Sequence, residues 1–247
     1  MTLEEFFVRN SKAAVAFSGG ADSALVLWAA RQYGREVGAY YVHTAFQPAF
    51  ELADARRLAA ELEVPLKVVE VDVLAVPEAA ANGPGRCYYC KRTLFSALRQ
   101  AAEADGYTVL LDGTNASDDA GDRPGMQALR ELEVRSPLRE CGLTKDQVRQ
   151  LSRQAGLFTW DKPAYACLAT RVPTGTAITA ETLARVERGE EVLFRLGFTD
   201  FRLRLLGDAA RVQVPADQLE RAARLNQEIT RGLAADFSAV LLDLQGR

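Results

Sequence analysis

Short apolar runs alternate with amphipathic stretches through the first part of the chain. Ala13-Ala14-Val15-Ala16-Phe17 predicts a buried strand, and Asp22 to Tyr33 a helix with Leu25, Val26 and Ala29 on one face. Val37 to Val42 predicts a second strand, Phe50 to Leu62 a second helix and Leu66 to Val71 a third strand. Lys91 to Ala104 reads as a further helix and Thr108 to Leu111 as a fourth strand. Near-continuous apolar strands separated by helices are the pattern of an α/β protein, a doubly wound parallel sheet covered on both faces. Right-handed crossovers then gather the C-terminal ends of the strands on one edge, where ligands of such sheets bind.

From about Trp160 the texture changes. The stretch from Asp161 to Thr176 holds two prolines and a glycine and has no helical period, so it reads as a functional loop. Thr179-x-x-Thr182 then opens an amphipathic helix with Leu183, Val186, Leu193 and Leu196 on its apolar side and Gly197 as its C-terminal cap. Strands at Phe201 to Leu206 and Ala210 to Val214, a helix from Ala216 to about Leu233 and a strand at Ala239 to Leu242 follow. The expected organisation is a nucleotide-type domain over residues 1–160, a cysteine-bearing linker over 161–178 and a small α+β domain of αββαβ order over 179–247.

Composition narrows the class. The chain has 247 residues, 48% hydrophobic and 26% charged, which excludes disorder and collagen-like repeats. Thirty basic residues against 33 acidic ones leave a formal charge of −3, which argues against a whole-surface nucleic-acid binder. No apolar stretch is long enough to span a bilayer, and Met1 to Glu5 is acidic where a signal peptide is basic, so a cytoplasmic location is expected. In a reducing compartment, four cysteines do not suggest a disulfide framework. Cys87 and Cys90 form a C-x-x-C pair, while Cys141 and Cys167 stand apart. The pair points to metal, redox or sulfur chemistry, a zinc half-site or two unligated thiols being the alternatives. Cys141 reads as structural, and the sole histidine, His43, as incidental at a strand end.

The sharpest motif is Ser18-Gly19-Gly20-Ala21-Asp22-Ser23, directly after the first strand and opening the first long helix. Glycines let the backbone approach a ligand, and successive amides with the positive helix end hold an anion. Asp22 is placed to bind a metal ion bridging phosphates. The spacing is neither the Walker A loop nor the dinucleotide G-x-G-x-x-G.

Ser18 to Ser23 resembles the S-G-G-x-D-S loop of the PP-loop ATP pyrophosphatases, of adenine nucleotide alpha hydrolase-like fold. Further segments carry the likeness: Cys87-Tyr88-Tyr89-Cys90-Lys91, Gly113 to Asp119, Asp122-Arg123-Pro124-Gly125, Ser136-Pro137-Leu138-Arg139, and Pro163 to Gly175. In this order and spacing they resemble the LarE family of pyridinium-3,5-biscarboxylic acid mononucleotide sulfurtransferases. The resemblance implies ATP-dependent adenylation of a pyridinium carboxylate and its conversion to a thiocarboxylate, for the nickel-pincer nucleotide cofactor, with release of AMP and pyrophosphate. It implies Phe17, Ser18, Gly19, Gly20, Asp22, Ser23, Gly113 and Asn115 as the ATP site, with Mg²⁺ on Asp22. It implies Cys87, Cys90 and Cys167 as the ligands of a [4Fe–4S] cluster whose open iron holds the sulfide that is delivered, and Cys167 as the match to the sulfur-donor cysteine, which in members with that cysteine alone gives up its own sulfur and is left as dehydroalanine. Arg171, Arg202 and Arg204 would hold the substrate, and Glu190 would serve a metal. The implied partners are the pyridinium mononucleotide and a sulfide source or cysteine desulfurase, with no nucleic acid and no membrane; a homo-oligomer is expected. Where the family carries A-R-I-E-V, this chain has Ala210-Arg211-Val212-Gln213-Val214, so position 213 lacks the carboxylate.

Two other readings compete. A tRNA thiolation enzyme shares the ATP loop and adenylation, and often a C-x-x-C with a distal cysteine. It needs a basic RNA-binding surface that this balance of charge does not suggest. A non-catalytic nucleotide-binding regulator on the same fold leaves the cysteine set unexplained.

Overall fold

The computed structural model describes residues 1–118 and 124–246; Asp119, Asp122 and Arg123, named above, lie outside them. The chain forms two units. The first comprises Met1–Val76 and Gly85–Lys162, and the second Pro77–Pro84 and the chain from Pro163 onward.

In chain order the first unit contains α1 (Leu3–Arg9), β1 (Lys12–Ala16), α2 (Ala21–Tyr33), β2 (Glu36–His43), α3 (Ala49–Glu61) and β3 (Leu66–Glu70). After α4 (Pro77–Ala80), which belongs to the second unit, come α5 (Arg86–Ala104), β4 (Leu110–Leu111), α6 (Pro124–Glu131), α7 (Pro137–Glu140) and α8 (Lys145–Gln154). The strands form a parallel sheet of order β3-β2-β1-β4. On one face Ala14, Tyr40, Leu98 and Leu110 pack together with α5. On the other, Val15, Phe17, Tyr41 and Leu111 join Leu25, Leu58 and Val148 from α2, α3 and α8. The sheet is thus doubly wound, as the apolar pattern indicates. Because β1 has β2 on one side and β4 on the other, the loop leaving its C-terminal end sits at the switch point of the sheet.

One boundary differs from expectation with a chemical consequence. The helix expected from Lys91 begins at Arg86, so Cys87 and Cys90 lie in its opening turns. Their i, i+3 spacing puts both thiols on one side of α5.

The second unit continues with α9 (Ala180–Arg195), β5 (Arg202–Leu206), β6 (Ala209–Gln213), α10 (Leu219–Arg224), α11 (Asn226–Leu233) and β7 (Val240–Leu242). Its sheet has order β5-β6-β7, antiparallel then parallel. Leu193, Phe198, Leu203, Val212 and Leu233 form its core. Alternation along the strands turns Arg202, Arg204, Arg211 and Gln213 to the opposite face. The single helix expected from Ala216 to Leu233 is instead broken at Leu225. There the Asn226 side chain donates to the Ala223 carbonyl at 2.7 Å, a local bond that competes with helix propagation. The segment Pro77–Pro84 joins this unit although nothing in its sequence sets it apart.

Candidate active site

The loop after β1 enters α2 through Gly20, whose position as N-cap supplies no side-chain bond to the first helical turn. The α2 N-terminus therefore keeps its positive end for an external anion. Within the loop, the Ser18 and Ser23 hydroxyls lie 3.0 Å apart, and the Ser23 hydroxyl accepts the Ser18 N–H at 3.2 Å. Gly19 has a left-handed φ of +74°, and a Cβ there would stand 3.1 Å from the Glu51 carbonyl oxygen. Gly113, at the end of β4, passes so close to α2 that a Cβ would stand 2.8 Å from the Ser23 nitrogen. Gly19 thus lets the β1 loop lie against α3, and Gly113 lets the β4 loop lie against the start of α2.

Asp22 is the centre of this group. Its carboxylate takes the Lys145 ammonium at 2.5 Å and the Asn115 amide at 3.3 Å. Asn115 is 3% exposed and folds its own loop into an Asx turn, accepting from the Ser117 N–H at 2.8 Å while Asp118 accepts the Asn115 N–H at 2.9 Å. Asp112, also buried, fixes the same loop by accepting from Ser136 at 2.6 Å and from the Thr114 N–H at 3.2 Å. On the other side of the β1 loop, Lys162 donates to the Gly19 carbonyl at 3.3 Å and to Asp54 at 2.6 Å. A cleft of about 150 Å³ adjoins it, lined by Phe17, Ser18, Tyr40, Val42, Leu94 and Phe95.

Sequence reasoning overlooked Lys145 and Lys162. For Lys145 a signal existed: it occupies the first position of α8, after the Thr144–Gln147 capping box. A cation there opposes the helix dipole unless something else requires it. Lys162 had no such mark.

The second unit holds a different constellation. Cys167 precedes a short 3₁₀ turn, Leu168–Arg171, and its thiol is partly exposed. Three guanidinium groups bind backbone carbonyls around it. Arg202 donates to Ala164 O at 2.8 Å, Arg171 to Ala166 O at 2.9 Å and Arg204 to Thr170 O at 2.7 Å. Glu190 is the counter-ion. Its carboxylate receives Arg171 at 2.7 and 3.3 Å, the Leu203 N–H at 3.2 Å and the Tyr165 hydroxyl. With Arg171 and Glu190 both buried, the acceptor positions of this carboxylate are taken up by protein donors, which gives it the role of anion for Arg171. Burial, with the Arg171 charge next to it, pushes Arg202 down to about 10, and the same causes lower Arg204. Arg204 also donates to Gln213 at 2.6 Å, which passes a bond to Asp243 at 2.7 Å. The amide at 213 therefore accepts from one neighbour and donates to the other, where a carboxylate would only accept.

Cys87 is exposed and Cys90 partly so. Among the described residues no group of three or more His, Cys, Asp or Glu side chains stands close enough to hold a metal ion. His43 bonds Glu70 through Nδ1 at 2.7 Å, at the C-terminal ends of β2 and β3. Cys141 lines an apolar groove with Leu25, Trp28, Leu143 and Leu151, and burial pushes its thiol up.

Comparison with known proteins agrees with the loop chemistry. The family profile of the queuosine biosynthesis protein QueC matches residues 12–81, the stretch from β1 through α4. An uncharacterised protein of Synechocystis is 38% identical over 99% of this chain and 92% of its own length. The pyridinium-3,5-bisthiocarboxylic acid mononucleotide synthase of Lactiplantibacillus plantarum is 35% identical over 94% of this chain and 85% of its own. A tRNA-specific 2-thiouridylase of Clostridium botulinum is 24% identical over 60% of the chain. With the synthase alignment running through both units and the family profile spanning the loop after β1, the protein belongs to the LarE family of PP-loop, ATP-dependent sulfurtransferases.

Proposed function

We propose that the protein activates the carboxylate of pyridinium-3,5-biscarboxylic acid mononucleotide with ATP and replaces the activated oxygen by sulfur, on the way to a nickel-pincer nucleotide. The observation that carries this reading is the arrangement of Asp22, Lys145 and Asn115 beside the uncapped start of α2, in a chain that aligns over 94% of its length with a bisthiocarboxylic acid mononucleotide synthase.

In this reading the α2 N-terminus and the Ser18 and Ser23 hydroxyls cradle the phosphates, and the cleft at Phe17 and Tyr40 takes the adenine base. Mg²⁺, when bound, neutralises phosphate charge and is held on the protein side by Asp22. A substrate carboxylate oxygen attacks the α-phosphorus, the bond to the β-phosphate breaks and pyrophosphate leaves. The Cys167 thiolate then attacks the acyl carbon and AMP leaves, giving a thioester. Loss of the Cys167 α-proton with cleavage of its Cβ–S bond releases the thiocarboxylate and leaves dehydroalanine. Arg202 and Arg204 are assigned to the substrate phosphate, and Arg171 to the shape of the cysteine loop, given its burial against Glu190.

The cluster reading of Cys87, Cys90 and Cys167 rests on the sequence resemblance, so no step above passes through a cluster. Anaerobic reconstitution with iron and sulfide tests it. A brown chromophore with about four irons per chain, lost on replacing any of the three cysteines and kept in Cys141→Ala, establishes it, and a sulfide source or cysteine desulfurase then resupplies the sulfur. A colourless protein leaves Cys167 as a single-use donor.

The function itself is tested by incubating protein, Mg²⁺, ATP and the pyridinium mononucleotide and following pyrophosphate and product mass. Pyrophosphate release together with a mass gain of one sulfur-for-oxygen exchange supports the proposal. Release dependent on transfer RNA, with a salt-sensitive gel shift, replaces it by tRNA thiolation.

A further inference from the structure

Asn82 has no part in the chemistry above, yet it is among the most constrained side chains of the second unit. It is 1% exposed and has a left-handed φ of +55°. Asparagine tolerates that conformation better than most residues, at a strain that a surrounding structure must over-determine. Here the surroundings do so. The carboxamide nitrogen donates to Pro173 O at 2.9 Å and Thr176 O at 3.0 Å, with Val172 O at 3.4 Å. The Asn82 carbonyl accepts the Gly175 N–H at 2.9 Å, and two residues earlier the Ala80 carbonyl accepts the Ile178 N–H at 2.7 Å.

These bonds fall on the segment that leaves the Cys167 turn. Upstream and within that turn, Arg202, Arg171 and Arg204 hold the carbonyls of Ala164, Ala166 and Thr170. Downstream the carbonyls of Val172, Pro173 and Thr176 meet a single amide. The loop is thus pinned on both sides of the thiol by donors aimed at its main chain. Segment 77–84, which otherwise has no reason to leave the first unit, supplies the downstream pin.

We propose that Asn82 is a positioning residue for sulfur transfer: it fixes the exit of the Cys167 loop so that the thiol is held in one place for the activated carboxylate. The inference rests on Cys167 as the sulfur donor. Only an N–H donor group in this position serves. Aspartate has the same size but presents oxygens to carbonyl oxygens, and glycine keeps the backbone conformation but presents nothing.

The test uses the full chain with Asn82→Asp and Asn82→Gly. Pyrophosphate release with Mg²⁺, ATP and the mononucleotide is expected to stay within about twofold of the unaltered protein, while thiocarboxylate formed per pyrophosphate falls by about a hundredfold, the scale on which small misplacements of reacting groups act. Alkylation of Cys167 by iodoacetamide, mapped by mass spectrometry, is expected to accelerate several-fold with Cys141 unchanged. That readout reports loop order whether or not thiocarboxylate is the product, so failure of the functional reading and failure of this one are separable. A residue that merely stabilises the fold would lower both reaction steps together and leave their ratio unchanged, and that result overturns the proposal. So does unchanged Cys167 alkylation in a folded variant. Hydrogen exchange in the unaltered chain needs no variant to fold: the Gly175 and Ile178 amides are expected to be protected, and exchange at the rate of open loops removes the pin.

Discussion

The Lys145 ammonium stands 2.5 Å from the Asp22 carboxylate, joining the first turn of α8 to the first turn of α2 across 123 residues of sequence. A cation occupies the place that Mg²⁺ and phosphate are expected to claim. In Asp22→Ala, pyrophosphate release is expected to fall to background, with the far-ultraviolet circular dichroism unchanged, because a partly exposed pair contributes little to folding. Turnover near that of the unaltered protein would remove Asp22 from the metal role.

Cys167→Ala separates activation from transfer. The β1 loop lies in the first unit and has no need of this thiol, so pyrophosphate is expected at close to the normal initial rate, with an adenylate and no thiocarboxylate by mass spectrometry. Sulfurated product from this variant would exclude Cys167 from the mechanism.

Gly113→Ala places a methyl group 2.8 Å from the Ser23 backbone nitrogen. Neither backbone can give way without shifting the phosphate loop. The Michaelis constant for ATP is expected to rise by about tenfold or more, while Gly83→Ala, at a position with open space around the new carbon and no left-handed φ, serves as a control in the pyrophosphate assay.

Arg171 and Glu190 form a buried pair, so removing one partner leaves the other charge without compensation. Glu190→Ala is expected to cost about 3–5 kcal/mol in urea denaturation. Replacement of both residues by apolar ones of similar volume is expected to cost less than the single change. A double replacement that costs as much as the two single changes added together would show that the pair is not coupled.

Acid should unfold the protein through carboxylates held below their ordinary range. Hydrogen bonding from Arg188 lowers Asp236, bonding from Gln213 lowers Asp243, and bonding from Lys67 and Tyr40 lowers Asp105. A lowered folded-state value means the unfolded chain binds protons first. The stabilisation is therefore complete above the unfolded carboxylate range, about pH 4, and is lost as the pH falls through the lower folded values. The thermal midpoint is expected to be level for these groups between pH 5 and 7 and to drop below about pH 4. A midpoint that keeps rising toward pH 3 would contradict this.

The parallel sheet was legible because each strand is a short apolar run with a helix after it, and Ser18 to Ser23 is a local word whose meaning depends only on its neighbours. Asn115 was legible in the same way, as a polar residue at the end of a predicted strand. Lys162 was not, and Lys145 was marked only as a cation at a helix start, because their partners Asp22, Gly19 and Asp54 come from distant parts of the chain. Arg171 and Glu190 were visible as charges, but pattern alone does not tell a ligand-facing charge from one neutralised inside the protein. The opening of α5 at Arg86 was hidden because Gly83, Pro84 and Gly85 read as loop up to the cysteines. The break at Leu225 had no glycine or proline to announce it.

The placement of Pro77–Pro84 in the second unit also orders events at the ribosome. Asn82 emerges early, and its acceptor Val172 follows 90 residues later. At typical elongation rates that is a wait of roughly 5 to 20 s. For most of that wait the first unit still lacks α8, and the left-handed asparagine lacks its bonds to residues 172–176. The Cys167 loop is thus completed only after most of the chain has been made. A nascent chain can present its phosphate loop before its sulfur-bearing loop has any fixed shape, so an arrested or truncated product is expected to bind nucleotide without being able to deliver sulfur.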